Sequence, residues 1–230
     1  MIGLTSPNFD DRPPGRTVDM LVLHYTGMPS RNDALARLCD PAAEVSAHYL
    51  IDENGTCYRL VAEEKRAWHA GRAAWRGQTD INARSIGIEL VNPGHEFGYR
   101  PFPDRQMAAL ATLARGILAR HPIPARNVVG HADIAPRRKE DPGELFDWRT
   151  LARQGIGLWP AAVPTAPDVD WRQALAHIGY DLGAAGDAEA ARLALVAFQR
   201  HFRPARYDGS IDAETLERLH ALWVMVREDQ

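Results

Sequence analysis

The sequence predicts an α/β protein: a mixed β-sheet flanked by helices, followed by a small three-helix domain. Two observations carry that prediction. Up to about residue 150, short apolar runs without helical spacing alternate with segments that have it, as expected of helices packed on a sheet. Beyond a Pro- and Ala-rich stretch, the rest of the chain shows helical stripes alone. A 230-residue chain with 45% hydrophobic residues can hold a domain of ordinary size and a small companion.

Residues 1–17 are polar and Pro-rich, with Arg12-Pro13-Pro14-Gly15 near their end, and read as an irregular arm. Met20-Leu21-Val22-Leu23 is an apolar run fitting a strand buried on both faces, with His24 at its end. By itself that run favours a core histidine bonded to backbone. Residues 32–39 place Ala34, Leu35 and Leu38 on one helical face. Residues 46–51 and 56–61 read as a hairpin around Asp52-Glu53-Asn54-Gly55, joining the first strand. Trp68-His69-Ala70-Gly71 has no clear period and reads as a loop of the kind that borders a site. Residues 85–92 form a strand in which Glu89 stands among aliphatic neighbours, costly unless paired, solvated or near a metal. A water-facing glutamate on an edge strand fits the same pattern. Residues 104–120 carry the clearest helical stripe, closed by His121-Pro122.

Val128 and Val129 make another buried strand, leading to His131 at the start of a loop that Pro136 and Pro142 restrict. Asp141 follows ten positions after His131. A histidine and a carboxylate so placed look like half of a metal site, since catalytic zinc takes about three protein ligands and keeps one open position. His24 is the candidate for the third. From residue 155 to 170 the composition turns to Gly, Ala and Pro, which marks an extended linker. Further on, Ala191, Leu195, Phe198 and Phe202 form one stripe, and Leu216, Leu219, Leu222 and Val226 another. Asp187 and Asp212 are candidate N-caps, and a first helix is expected over 171–178. These three helices are small enough to be marginally stable alone. The divisions are therefore 1–155, a linker over 156–169, and 170–230.

With 27 Lys and Arg against 30 Asp and Glu, bulk charge points neither to nucleic acid nor to an anionic membrane surface. Cys39 and Cys57 are too few for a disulfide framework and show no nucleophile signature. No run approaches the roughly 20 apolar residues of a membrane span. Residues 1–19 lack the basic flank and apolar run of a signal peptide. The expected location is therefore the cytoplasm, or the periplasm if a leader precedes the sequence.

Taken in order, Leu21-Val22-Leu23-His24-Tyr25-Thr26, Val45 through Ile51 with His48, Trp68-His69-Ala70-Gly71, Ser85 through Leu90, and Gly130-His131 through Lys139 to Asp141-Pro142-Gly143 make a pattern. Together they resemble the type 2 zinc-dependent N-acetylmuramoyl-L-alanine amidases, relatives of the peptidoglycan recognition proteins, over roughly residues 5–155. The tail, with Ile178-Gly179-Tyr180-Asp181, Phe198-Gln199 and Tyr207-Asp208-Gly209, resembles the peptidoglycan-binding module often joined to such enzymes. The resemblance implies a zinc ion held by His24, His131 and Asp141, and a catalytic pair, Glu89 and Lys139. It implies hydrolysis of the amide between N-acetylmuramic acid, or its 1,6-anhydro form, and L-alanine, in peptidoglycan or muropeptides. Trp68, His69, Asn92 and Arg137 are candidate substrate contacts, although the favoured reading of Arg137 and Arg138 is solvated loop charge, with stem-peptide carboxylates as the other partner. His48, on a central strand, is expected to be structural or to support the site from behind its ligands. The alternative is a non-catalytic peptidoglycan-binding protein; the filled ligand and catalytic positions favour the enzyme.

Overall fold

The computed structural model describes residues 1–161 and 170–228. In chain order the elements are β1 (Ile2–Gly3), β2 (Phe9–Asp11), β3 (Met20–Tyr25), α1 (Arg31–Cys39), β4 (Tyr49–Ile51), β5 (Cys57–Arg59), β6 (Lys65–Ala67), α2 (Ile81–Arg84), β7 (Ser85–Leu90), α3 (Gly94–Phe97), α4 (Asp104–Arg120), β8 (Val128–Gly130), α5 (His131–Ile134), α6 (Trp148–Ala152), α7 (Trp171–Ile178), α8 (Ala188–Phe202) and α9 (Ala213–Glu228). Six strands form one sheet in the order β1-β5-β4-β7-β3-β8, while β2 and β6 pair as a separate ribbon. All neighbours in the large sheet are parallel except the hairpin β4–β5. The expected α/β architecture is therefore present, with one change of order. The hairpin joins β7 rather than the first strand, so Glu89 belongs to an interior strand and the edge reading is excluded.

Alternation along the interior strands divides the core. Leu21 and Leu23 of β3, with Ile86, Ile88 and Leu90 of β7, pack on Leu110, Leu113 and Ile117 of α4. Met20 and Val22 point to the opposite face, where they share a core with Leu175, Ile178, Leu195, Phe198, Leu219 and Leu222 of the last three helices. Those helices thus cover the beginning of the strands on that face. His24, two residues beyond Val22, is left at the open end.

The short elements differ from expectation. Residues 1–17 contain β1 and β2, whose two and three residues are too few to show a period and are fixed by distant partners. Strand β4 starts at Tyr49, after His48, because the His48 ring takes the place of a ladder partner: its Nδ1 accepts from the Gly87 N–H at 3.0 Å. After His131 the chain makes one helical turn, α5, in which Asp133 Oδ2 accepts from the Gly130 N–H at 2.7 Å.

The expected linker 156–169 falls mostly on residues 162–169, which lie outside the described residues. Its described part packs: Ile156 is buried with the α4 core, and Leu158 and Trp159 are half-buried against hydrophobic clusters. The three helices are more than a companion on a tether. Asp133 accepts from the Tyr180 hydroxyl at 2.6 Å, and its other oxygen lies 2.8 Å from His201 Nδ1, all three residues being buried. The Arg76 guanidinium bonds the carbonyls of His177 and Ile178 that end α7. Asp187 caps α8 as expected, and Asp212 accepts from the Thr215 N–H at the start of α9. Removing one partner from a buried carboxylate leaves a desolvated acceptor. Tyr180→Phe is accordingly expected to destabilise the whole chain by about 1–3 kcal/mol in denaturant unfolding, as a single transition. A variant that loosens only the C-terminal helices, in a separate earlier transition, would contradict the shared core.

Candidate metal centre

Three strand ends build the centre. Parallel pairing of β3 with β7 and β8 brings their carboxyl ends to one edge, where ligands of open α/β sheets usually bind. His24 is the next-to-last residue of β3, and His131 follows β8 directly. The loop after α5 returns so that the Asp141 carbonyl accepts from the Ala132 N–H at 2.8 Å. Gly130 allows that return, because a Cβ there would lie 2.7 Å from Pro142 Cδ.

The result is a compact donor set. His24 Nδ1 and His131 Nδ1 are 2.9 Å apart, and Asp141 Oδ2 is 3.1 Å from each. All three residues are buried. His131 turns Nε2 to the Ala70 carbonyl at 3.0 Å, and a carbonyl only accepts, so Nε2 carries a proton; in the neutral ring the lone pair is then on Nδ1. His24 turns Nε2 away to His69 Nδ1, also at 3.0 Å. Burial, then the neighbouring His131, pushes the His24 imidazole down to about 4, so it is neutral at ordinary pH. Burial alone would raise Asp141, yet His131 and His24 hold its carboxyl below the usual range. Neutral imidazoles and an ionised carboxylate are the forms that bind a cation, and two nitrogens with one oxygen suit a divalent metal with a position left open. The residues present fit a metal.

Around this set lies a cleft of about 490 Å³. Glu89 and Lys139 line it together with His131 and Asp141. Glu89 is the register partner of His24, its Oε2 is buried without a hydrogen-bond partner, and burial together with the Asp141 charge pushes its carboxyl well above the usual range. Trp68 and His69 border the same cleft, as their loop position suggested. Two expected substrate contacts lie elsewhere. Asn92 is buried and holds the turn after β7, donating to the Arg100 carbonyl at 2.7 Å and accepting from the Gly94 N–H at 3.1 Å. Arg137 is exposed and pairs with Asp187 at the start of α8, whereas its neighbour Arg138 lines the cleft. Arg138 is held there by the carbonyls of Ala70 and Arg72, contacts that nothing local in the sequence announces.

Residues 14–144 match the family model described as N-acetylmuramoyl-L-alanine amidase. Over 229 residues the chain is 43% identical to the N-acetylmuramoyl-L-alanine amidase AmiD of Escherichia coli K12, covering 89% of this chain and 82% of that protein. The 1,6-anhydro-N-acetylmuramyl-L-alanine amidase AmpD of Haemophilus influenzae is 36% identical over 63% of this chain and 86% of its own length. Among solved structures, E. coli AmiD in complex with the substrate anhydro-N-acetylmuramic acid-L-Ala-D-gamma-Glu-L-Lys superposes with a TM-score of 0.80 at 39% identity, over 95% of this chain and 98% of that one. AmpDh3 from Pseudomonas aeruginosa gives 0.82 at 38% identity, over 91% and 92%.

A donor set that exists only in the folded chain links metal binding to stability. A divalent metal at a hundredfold its dissociation constant is expected to raise the unfolding free energy by about 2.7 kcal/mol. In Asp141→Ala the same addition should leave the thermal midpoint where it was; an equal shift in both proteins would place the metal elsewhere.

Proposed function

Because the chain belongs to the N-acetylmuramoyl-L-alanine amidase family, we propose that it is a zinc enzyme hydrolysing the amide between the lactyl group of N-acetylmuramic acid, or its 1,6-anhydro form, and the L-alanine of a stem peptide. The observation that carries this reading is the place of Glu89. It stands beside His24 across the β3–β7 register, in the cleft that the donor set opens into.

His24, His131 and Asp141 would hold the zinc, which when bound supplies Lewis acidity to the amide carbonyl and to water. The roles of the other residues follow from position and chemistry. Glu89 Oε2 has no hydrogen-bond partner among the described residues, leaving it available to take the proton of the attacking water and return it to the leaving amine. Lys139, two residues before Asp141, brings a positive charge to the oxygen that becomes negative as the carbonyl is attacked. Trp68 offers a half-buried aromatic surface on the cleft wall, and Arg37 and Arg138 offer guanidiniums for the carboxylates of a stem peptide. The AmiD complex, whose ligand is an anhydro-muramyl tripeptide, supports muropeptides of that kind as substrates.

For residues 170–230 peptidoglycan binding stays a proposal, supported by sequence motifs. Among the described residues no helix is long and apolar enough to cross a membrane.

Release of L-Ala-starting peptides from muropeptides, followed by mass spectrometry, should stop on chelation and return with zinc. Full cleavage by metal-free protein would overturn the mechanism. Glu89→Gln should lower kcat by about 10²–10⁴-fold with zinc still bound. Unimpaired turnover in that variant would remove Glu89 as the base.

A further inference from the structure

Behind His24 lies a line of hydrogen bonds that ends on a backbone carbonyl. The Ser85 hydroxyl donates to the Ile81 carbonyl at 2.7 Å. Having spent its one proton there, Ser85 Oγ can only accept from His69 Nε2, 3.0 Å away. A neutral His69 then carries its proton on Nε2 and a lone pair on Nδ1. That lone pair lies 3.0 Å from His24 Nε2, which must be the donor. His24 is left with a bare Nδ1, the nitrogen that meets His131 and Asp141.

We propose that Ser85 and His69 are positioning residues that fix His24 in the tautomer able to bind metal through Nδ1. The proposal rests on the reading of His24 as a metal ligand. Metal-binding histidines usually donate their second nitrogen to a carboxylate, a carbonyl or water, and the first two can only accept. Here the acceptor is another imidazole, which can reverse. With the proton on His69 Nδ1 the line would run backwards: His24 Nε2 would have to accept, its proton would sit on Nδ1, and the metal position would be blocked. Ser85 prevents the reversal from two positions away, without touching a ligand.

The strand face is arranged for this. Ser85, Gly87 and Glu89 alternate on one side of β7, opposite the face that packs on α4. Ser85 anchors His69, and Glu89 reaches the cleft. Gly87 makes room between them, because a Cβ there would lie 2.5 Å from His69 Cγ. The His69 backbone is fixed as well, its N–H donating to Asn82 Oδ1 at 3.1 Å. His69 therefore borders the cleft as the support of His24, which gives it a role other than substrate contact.

The test uses the full-length chain loaded with zinc. Ring ¹⁵N spectra should show His24 metal-bound at Nδ1 and protonated at Nε2, and His69 protonated at Nε2 with a lone pair at Nδ1. Zinc affinity, measured by competition with a chromophoric chelator, should fall about tenfold or more in Ser85→Ala and in His69→Ala. His69→Asn, which can set an amide oxygen where Nδ1 stood, should recover affinity relative to His69→Ala, and adding Ser85→Ala to it should cost nothing more. A His69 protonated at Nδ1 in the parent protein, or full zinc affinity in a folded Ser85→Ala, would overturn the relay. If His24 bound no zinc at all, the ligand reading itself would fail; the spectra separate the two cases without relying on any variant.

Discussion

Two imidazole nitrogens and a carboxylate oxygen held 2.9–3.1 Å apart in a buried site turn electron pairs towards one another, and such a grouping is costly unless a cation lies among them. No one element of the fold could hold them there. Parallel pairing of β3 with β7 and β8 fixes the two histidines, and the return of the loop to α5 fixes the aspartate. Each imidazole is oriented by what its other nitrogen meets, the Ala70 carbonyl for His131 and His69 for His24.

The same demand gives the C-terminal helices a structural part. By burying Met20 and Val22 they close the sheet face up to the residue before the metal site begins. Through Tyr180 and His201 they also grip Asp133, two residues from His131. The motifs that made this tail look like a wall-binding module are largely spent on its own fold. Tyr180 is buried against Asp133, while Gln199 donates to the Ser210 carbonyl and accepts from the Gly209 N–H to hold the turn before α9. Such motifs report how the module folds more directly than what it binds.

Much of this was legible in the chain. Long periodic segments showed themselves: α4 spans the expected residues 104–120, and α7 spans 171–178. The buried strands showed as aliphatic runs, and the resemblance to the amidase family, carried by the order of motifs along the chain, pointed to His24, Glu89, Lys139, His131 and Asp141. The short elements β1, β2 and α5 did not show, because β1 and β2 are decided by distant strand partners and α5 is held by Tyr180 and His201 from far along the chain. Nor did the difference between Arg137 and Arg138, adjacent residues of one type, one paired with α8 and the other set on the cleft by the Ala70 and Arg72 carbonyls. The support of His24 could have been read from Ser85-x-Gly87-x-Glu89, whose period of two puts a hydroxyl, a gap and a carboxylate on one strand face.

Bound zinc would sit where the lone pairs of His24, His131 and Asp141 converge. Anomalous diffraction at the zinc edge, from crystals grown with one equivalent of zinc, tests it most directly. A single strong peak is expected within coordination distance, about 2.0–2.2 Å, of His24 Nδ1, His131 Nδ1 and Asp141 Oδ2. A peak bound through either Nε2 instead, or none at these residues with zinc bound elsewhere, would contradict it.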